Sequence, residues 1–366
     1  MQNEYSENDY LMWLSCFNNL SVEKKNALLE YFETAKEIWF ADIEEIKNAT
    51  TLTDDAIHKI QKTRTSELME KRLSLLQKND IRFLGNINEE FPDYLRNIPQ
   101  PPVGIYVIGE IPNEYAPRVS IIGSRNYTEY GAIVATKIAK ELAEQGVVIV
   151  SGMARGLDSV AHEGALKGNG KTIAVFGNGV DVCYPKTNES LRRRIIQNGC
   201  VMSEYPPKTK PDAHHFPMRN RIISGMSDVL VVVEAKERSG TLITVGHALE
   251  QGKDVFAVPG NVTNENSKGT NNLIKQGAYI FTETKDILDI LGIENHIDNK
   301  INNKKIIQTL ATDEKMVYDC ISLEPISVDE LFIKTNKEIN NLLYILTMLE
   351  IKGVIKKISG QKYIRS

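Results

Sequence analysis

The chain is short of the features that would commit it to several common chemistries. Its four cysteines, Cys16, Cys183, Cys200 and Cys320, are scattered, with no CxxC pair and no clustered histidines, which argues against structural zinc and fits a reduced, cytoplasmic setting. No apolar run approaches the roughly 20 residues that span a bilayer. The opening MQNEYSENDYLMW is acidic where a secretory leader would be basic, so neither export nor membrane insertion is expected. There is no GxxxxGK[ST] at a helix start, no GxGxxG after a strand and no GxSxG. Nucleotide hydrolysis on a P-loop, dinucleotide redox chemistry and serine hydrolysis therefore lack support, and no nucleophile, metal site or cofactor is expected. Net positive charge is missing too: the formal charge is −4. That argues against a protein that coats nucleic acid by bulk attraction, and any nucleic-acid site must be a local basic patch.

What is present is the patterning of a multi-part α/β protein of 366 residues. From Asn8 to Gln77 apolar residues recur at helical spacing, with Ser21 and Thr53 as N-caps, which predicts a bundle of short helices over 1–78. From Val119 onward, apolar runs alternate with helical stretches: Val119–Ile122, Val147–Val150, Thr172–Phe176, Val201–Met202, Val229–Val233 and Val255–Val258. That alternation predicts a doubly wound, mainly parallel sheet within 79–292, preceded by one or two strands between Ile81 and Glu110. The polar stretch 293–305 reads as a linker. In 306–366, three short helices and a hairpin turning at Ser359-Gly360 predict a winged helix-turn-helix, with Leu342, Leu343, Leu346 and Leu349 as its buried face.

In open α/β sheets, ligands bind beyond the carboxyl ends of the strands. Those positions hold Gly123–Arg125 (GSR), Ser151–Gly156 (SGMARG), Gly177–Gly179, Ser203-Glu204, Ser239–Thr241 (SGT) and Pro259-Gly260. Glycine admits a phosphate close to the backbone, hydroxyls donate, and arginine adds a bidentate fork. One such glycine would be an ordinary turn; six at successive strand ends describe a phosphate-binding rim that includes Ser124, Arg125, Gly152, Arg155, Gly156, Ser239, Gly240 and Thr241. Arg125 alone reads equally well as a solvated surface residue. Asp158 and His162 fall on one helix face, where Asp158 would orient His162 and pin the loop rather than take part in acid–base catalysis. The segment Lys208–Arg221, KTKPDAHHFPMRNR, is basic, broken by proline and carries Phe216. Cations neutralise phosphates and an aromatic face stacks a base, a combination suited to single-stranded nucleic acid. A solvated loop with a buried Phe216 is the plainer alternative, and His214-His215 lacks the further ligands that zinc needs.

Taken in order, GSRNYTEYG, VSGMARGLDSVAHEGAL, TIAVFGNGVDVCYP, SEYPP, FPMRNRIISG, VVEAKERSGTLIT and VFAVPGN resemble the DprA/Smf family over Ile81 to Leu291. The resemblance implies a Rossmann-like core, an N-terminal sterile-alpha-motif-like or helix-hairpin-helix-like bundle, and a C-terminal winged helix. It further implies a non-catalytic, dimeric protein that binds and protects incoming single-stranded DNA and helps load the recombinase RecA in natural transformation. By motif position, the DNA contacts it implies are Arg125, the backbone around Gly152–Gly156, Lys186, Arg219 and Arg221, with Asn220 and Phe216 shaping their loop. Residues 1–77 depart from the pattern in lacking a glycine-centred DNA-gripping hairpin, so they read as structural or interactive. The winged helix carries Lys334, Lys337, Lys352, Lys356, Lys357, Lys362 and Arg365 against Glu338 and Glu350, which suits either duplex DNA or a protein partner. The competing enzyme reading is a LOG-like nucleotide phosphoribohydrolase or nucleotide sensor. Its PGGxGT signature is represented here by Glu237–Thr244, ERSGTLIT, which keeps GT but not the paired glycines. A scaffold with a vestigial pocket is the third reading.

Overall fold

The computed structural model describes residues 5–18, 20–293, 310–322, 326–335, 337–352, 354–358 and 362–365. They form two compact units, 1–293 and 294–366. The linker expected over 293–305 and the Ser359-Gly360 turn lie almost wholly outside the described residues.

The first unit opens with six helices: α1 (Glu7–Ser15), α2 (Val22–Phe32), α3 (Ala35–Phe40), α4 (Ile43–Ala49), α5 (Asp54–Thr63) and α6 (Ser66–Lys78). Ser21 and Thr53 do cap α2 and α5, accepting from the Lys24 and Ala56 amides. Trp13 is fully buried, packs edge-on against Trp39 at 4.9 Å and donates its indole N–H to Thr63 Oγ1 at 3.1 Å. The bundle shares one hydrophobic core with the sheet, since Trp13, Leu28 and Ile60 belong to the same cluster as Tyr106, Phe176 and Val201. Ser15 Oγ and the Tyr106 hydroxyl seal that contact at 2.7 Å.

The sheet strands are β1 (Arg82–Gly85), β2 (Gly104–Gly109), β3 (Arg118–Ile122), β4 (Val148–Ser151), β5 (Thr172–Val175), β6 (Gly199–Ser203), β7 (Val229–Val232), β8 (Asp254–Ala257) and β9 (Tyr279–Ile280). Their order is β1-β2-β6-β5-β4-β3-β7-β8-β9, parallel from β6 to β9, with β1 and β2 antiparallel at one edge. The helices between them are α7 (Asp93–Arg96), α8 (Glu129–Glu144), α9 (Leu157–Lys167), α10 (Glu189–Gln197), α11 (His215–Gly225), α12 (Thr241–Glu250), α13 (Glu265–Lys275) and α14 (Thr284–Ile290). Strands buried on both faces need apolar residues at consecutive positions, as in Val229–Val232, where Val229 and Val231 join one core and Leu230 and Val232 the other. The short edge strand β9, unanticipated from the sequence, has only two residues, both exposed, within the brief apolar run Ala278–Phe281.

The topology locates the site. From β3 the chain steps outward through β4, β5 and β6, then returns to lay β7 on the other side of β3. Loops leaving β3 and β7 diverge at that reversal and leave a crevice at the carboxyl ends of the strands.

The second unit contains α15 (Thr312–Asp319), α16 (Val328–Thr335) and α17 (Ile339–Ile351), with a small sheet of β10 (Ile326–Ser327), β11 (Ile355–Ile358) and β12 (Lys362–Arg365). This is a winged helix. Leu342, Leu346 and Leu349 are buried in its core, but Leu343 is 43% exposed; Ile345 fills the inward position instead.

Candidate nucleic-acid interface

At the switch point lies a cleft of about 680 Å³. The loop after β3 supplies Ser124, Arg125 and Asn126; the loop after β7 and the start of α12 supply Lys236, Arg238, Ser239, Gly240 and Thr241; the first turns of α11 supply Phe216, Arg219 and Asn220. Tyr184 closes another side. Four cationic side chains, Arg125, Arg219, Lys236 and Arg238, line it against one carboxylate, Asp158. A chain with net negative charge thus concentrates positive charge where three elements converge.

The loop carrying Arg125 is held from below. Glu234, only 2% exposed, accepts hydrogen bonds from the Thr128 amide at 3.0 Å and from the Thr128 hydroxyl. Asn266 Nδ2, bonded to the Asn126 carbonyl oxygen at 2.7 Å, ties the same loop to α13. Glu234 therefore occupies the N-terminal end of α8 with a negative charge of the protein's own. The start of α12 has no such carboxylate: Ser239 Oγ accepts from the Thr241 amide at 3.2 Å, and the helix end opens on the cleft. Glu234 escaped the sequence reading because a glutamate after a strand looks solvent-exposed, and nothing local signals its burial.

An aromatic surface is also built from two elements. Phe216 stacks on Tyr184 with ring centroids 5.6 Å apart and planes 26° from parallel, and the Arg125 guanidinium lies 5.8 Å from the Phe216 ring centre. Phe216 is therefore part of the cleft wall, not a core residue, and Tyr184 is a site residue that the sequence reading passed over. Its signal was its place in the CYP tripeptide beside Lys186.

Several expected contacts have other roles. Arg219 lines the floor, but it is 4% exposed and donates to the carbonyl oxygens of Gly152, at 2.8 Å, and Val175. Burial lowers its pKa to about 10 and raises that of Asp158, each opposed by the other's charge. Gly152 makes room for this pair, since a Cβ there would lie 2.6 Å from Arg219 Nη2 and 2.7 Å from Asp158 Oδ2. Gly156 has φ +110° and passes so close to the loop after β3 that a Cβ would lie 2.4 Å from the Ser124 carbonyl oxygen. Both glycines thus shape the rim by close packing and do not themselves line the cleft.

Arg221 requires correction. It is 2% exposed and turned away from the cleft, gripping Glu204 at 2.7 and 2.9 Å and the Gln100 carbonyl oxygen at 3.1 Å. Residues two apart on a helix face different directions, so Arg219 and Arg221 cannot share one site. Arg155 and Lys186 are exposed outside the cleft proper; Arg155 Nη2 bonds Asn126 Oδ1 at 2.6 Å. Asp158 does not orient His162 through a hydrogen bond. His162 pairs with Thr172 Oγ1 at 2.7 Å and burial pulls its pKa down to about 3, while Asp158 Oδ2 accepts from the Ala154 amide at 3.4 Å and so pins the loop. Of the six strand-end motifs, GSR and SGT line the cleft throughout and SGMARG contributes Ala154, whereas Gly177–Gly179, Ser203-Glu204 and Pro259-Gly260 are not part of its wall. Among the described residues no group of histidine, cysteine, aspartate and glutamate could hold a metal, and no helix is long and apolar enough to cross a membrane.

Comparison with known proteins agrees with this architecture. The family model for DNA recombination-mediator protein A matches residues 82–292, and that for the DprA winged helix domain matches 304–361. The chain is 39% identical over 224 residues to DNA processing protein DprA of Bacillus subtilis, covering 61% of this chain and 75% of the relative. It is 30% identical to protein Smf of Synechocystis over 98% of this chain and 99% of the relative. The crystal structure of DprA from Streptococcus pneumoniae superposes with a TM-score of 0.68 at 34% identity, over 77% of this chain and 97% of that one. A DprA structure from Helicobacter pylori, described as showing a single-stranded DNA binding mode, matches with a TM-score of 0.50 at 33% identity, over 58% of this chain and 95% of that one. With both the sheet domain and the winged helix matched, and one relative aligned nearly end to end, the chain belongs to the DprA/Smf family of DNA-processing, recombination-mediator proteins.

Proposed function

We propose that the switch-point cleft binds single-stranded DNA without chemical turnover, and that the cytoplasmic protein, as a homodimer, protects the strand and helps load RecA. The observation that carries this is the pairing of three exposed cations, Arg125, Lys236 and Arg238, with the Tyr184–Phe216 stack in one crevice. Cations track a sugar-phosphate backbone and aromatic faces take bases without regard to sequence. The related Helicobacter pylori structure, described by its single-stranded DNA binding mode, supports the same use of the fold.

The hydrolase alternative needs a carboxylate at a ribosyl bond. Asp158, the one carboxylate among the described residues that line the cleft, is matched to Arg219 and hydrogen-bonded to the Ala154 amide, and Glu237 is not in the wall. For the winged helix the apolar exposure of Ile339, Leu343 and Tyr344 on α17 favours a protein partner over duplex DNA, since the basic Lys356, Lys357 and Lys362 sit on the hairpin.

Fluorescence anisotropy with a labelled single strand and its duplex, across a salt series, tests the reading. Tighter binding of the single strand with affinity falling as salt rises is expected; duplex preference or salt-independent binding refutes it. A RecA-loading assay on the same strand tests the partner, and free base released from nucleoside monophosphates would favour the hydrolase.

A further inference from the structure

The first unit holds a second cavity, of about 430 Å³, between α2 and the first turn of α11. Lys25 of α2, Glu204 and Tyr205 after β6, and His214, His215 and Met218 around the start of α11 form its chemically distinctive wall. Its wall leaves polar capacity that the fold does not use. Lys25 is only 8% exposed, yet the bond from its ammonium to the Ser15 carbonyl oxygen, at 3.0 Å, uses one of three protons. The nearby carboxylate, Glu204, is already held at two points by Arg221. His215 Nδ1 is buried with no hydrogen-bond partner. The His215 ring also stacks on Tyr205, centroids 4.1 Å apart and planes 21° from parallel, which offers a planar surface beside Met218.

A buried ammonium and an orphan ring nitrogen both cost stability, and desolvation already pulls Lys25 down to about 8. Asp212, on the same wall, is occupied at the start of α11, where its Oδ1 accepts from the His214 amide at 2.8 Å. Only the opening turn of α11 separates this cavity from the main cleft. Phe216 and Pro217 line the cleft, whereas His214, His215 and Met218 line the second cavity. A helix with its side chains is about 10–12 Å across, a span that a few nucleotides cover.

We infer that the second cavity is a further subsite for the same single strand, taking a nucleotide whose base lies against the Tyr205–His215 stack and whose oxygens accept from Lys25. The inference rests on the main cleft being a strand site, and it would make the N-terminal helices part of the DNA-binding surface.

The test uses the full chain, anisotropy, and oligothymidylates of roughly 3 nucleotides, too short to fill the cleft and also cross the helix, and roughly 16, the upper end of known single-strand site sizes. Lys25→Met and His214→Glu should keep wild-type affinity for the shorter probe and lose at least about tenfold on the longer, the first by removing one charge-assisted contact and the second by setting a carboxylate beside the strand. For Lys25→Met the salt slope on the longer probe should also shrink by about 0.7. His214 is exposed, so its variant reports even if Lys25→Met fails to fold. Unchanged affinity for both probes in the folded variants, or equal loss on both, overturns the second subsite. Arg125→Ala included alongside separates the two ideas, because wild-type binding of both probes by that variant overturns the main cleft itself.

Discussion

Replacing Arg125 with alanine isolates the binding surface from the fold. The side chain is exposed, and its one aromatic contact, 5.8 Å from the Phe216 ring centre, is worth about 0.5–1 kcal/mol at such a site. Stability should therefore change by less than about 1 kcal/mol in a urea titration. Binding should change far more. A charge-assisted hydrogen bond to phosphate contributes roughly 1.5–3 kcal/mol, so affinity for a single strand at low salt should fall by roughly 10- to 150-fold. One lost phosphate contact also lowers the slope of log K against log salt by about 0.7 on single strands. Arg125→Lys should keep the slope and recover part of the affinity, since charge is retained but the planar fork is not. Anisotropy at four or more salt concentrations reads both quantities. Affinity within about threefold of wild type together with an unaltered slope would refute the placement of a phosphate at this loop.

Arg221→Ala should behave in the opposite way, falling by roughly 3–5 kcal/mol in urea stability because Glu204, 9% exposed in its side chain, is left buried without its partner; a stable variant with a binding defect would show that Arg221 faces DNA after all. Gly156→Ala should be both unstable and binding-deficient, because φ +110° strains any side chain and the added Cβ would meet the Ser124 carbonyl oxygen at 2.4 Å, displacing the Arg125 loop. A wild-type melting temperature for that variant would contradict the packing. Lys25 makes the protein's stability pH-dependent at alkaline pH. Its folded pKa, about 8, lies below the ordinary 10.5 chiefly through burial, with Glu204 opposing and Arg221 reinforcing the drop. Between those values the unfolded chain holds a proton that the folded chain has released, so stability should rise with pH by on the order of 3 kcal/mol relative to Lys25→Met, and below pH 8 the difference should be flat. Parallel urea midpoints for the two proteins from pH 8 to 10.5 would refute it.

The linear pattern of residues was enough for the layered α/β core, the helical bundle and the winged helix. Strands such as Val229–Val232 announce themselves because burial on both faces demands unbroken apolar runs, and caps such as Ser21 and Thr53 act within three residues of their own position. GSR and SGT were legible as site loops because ligands collect at strand ends whatever the sheet order. Direction and depth were not legible. Arg219 and Arg221 are two residues apart in one basic tripeptide, yet one floors the cleft and the other closes a buried ion pair with Glu204 on its far side. Glu234, Tyr184 and Lys25 gained their roles from neighbours 106, 32 and 10 positions away in sequence: Thr128, Phe216 and Ser15. Local propensity acts through near neighbours along the chain, whereas burial and charge pairing depend on which distant segments the sheet order brings together, and that only the tertiary structure decides.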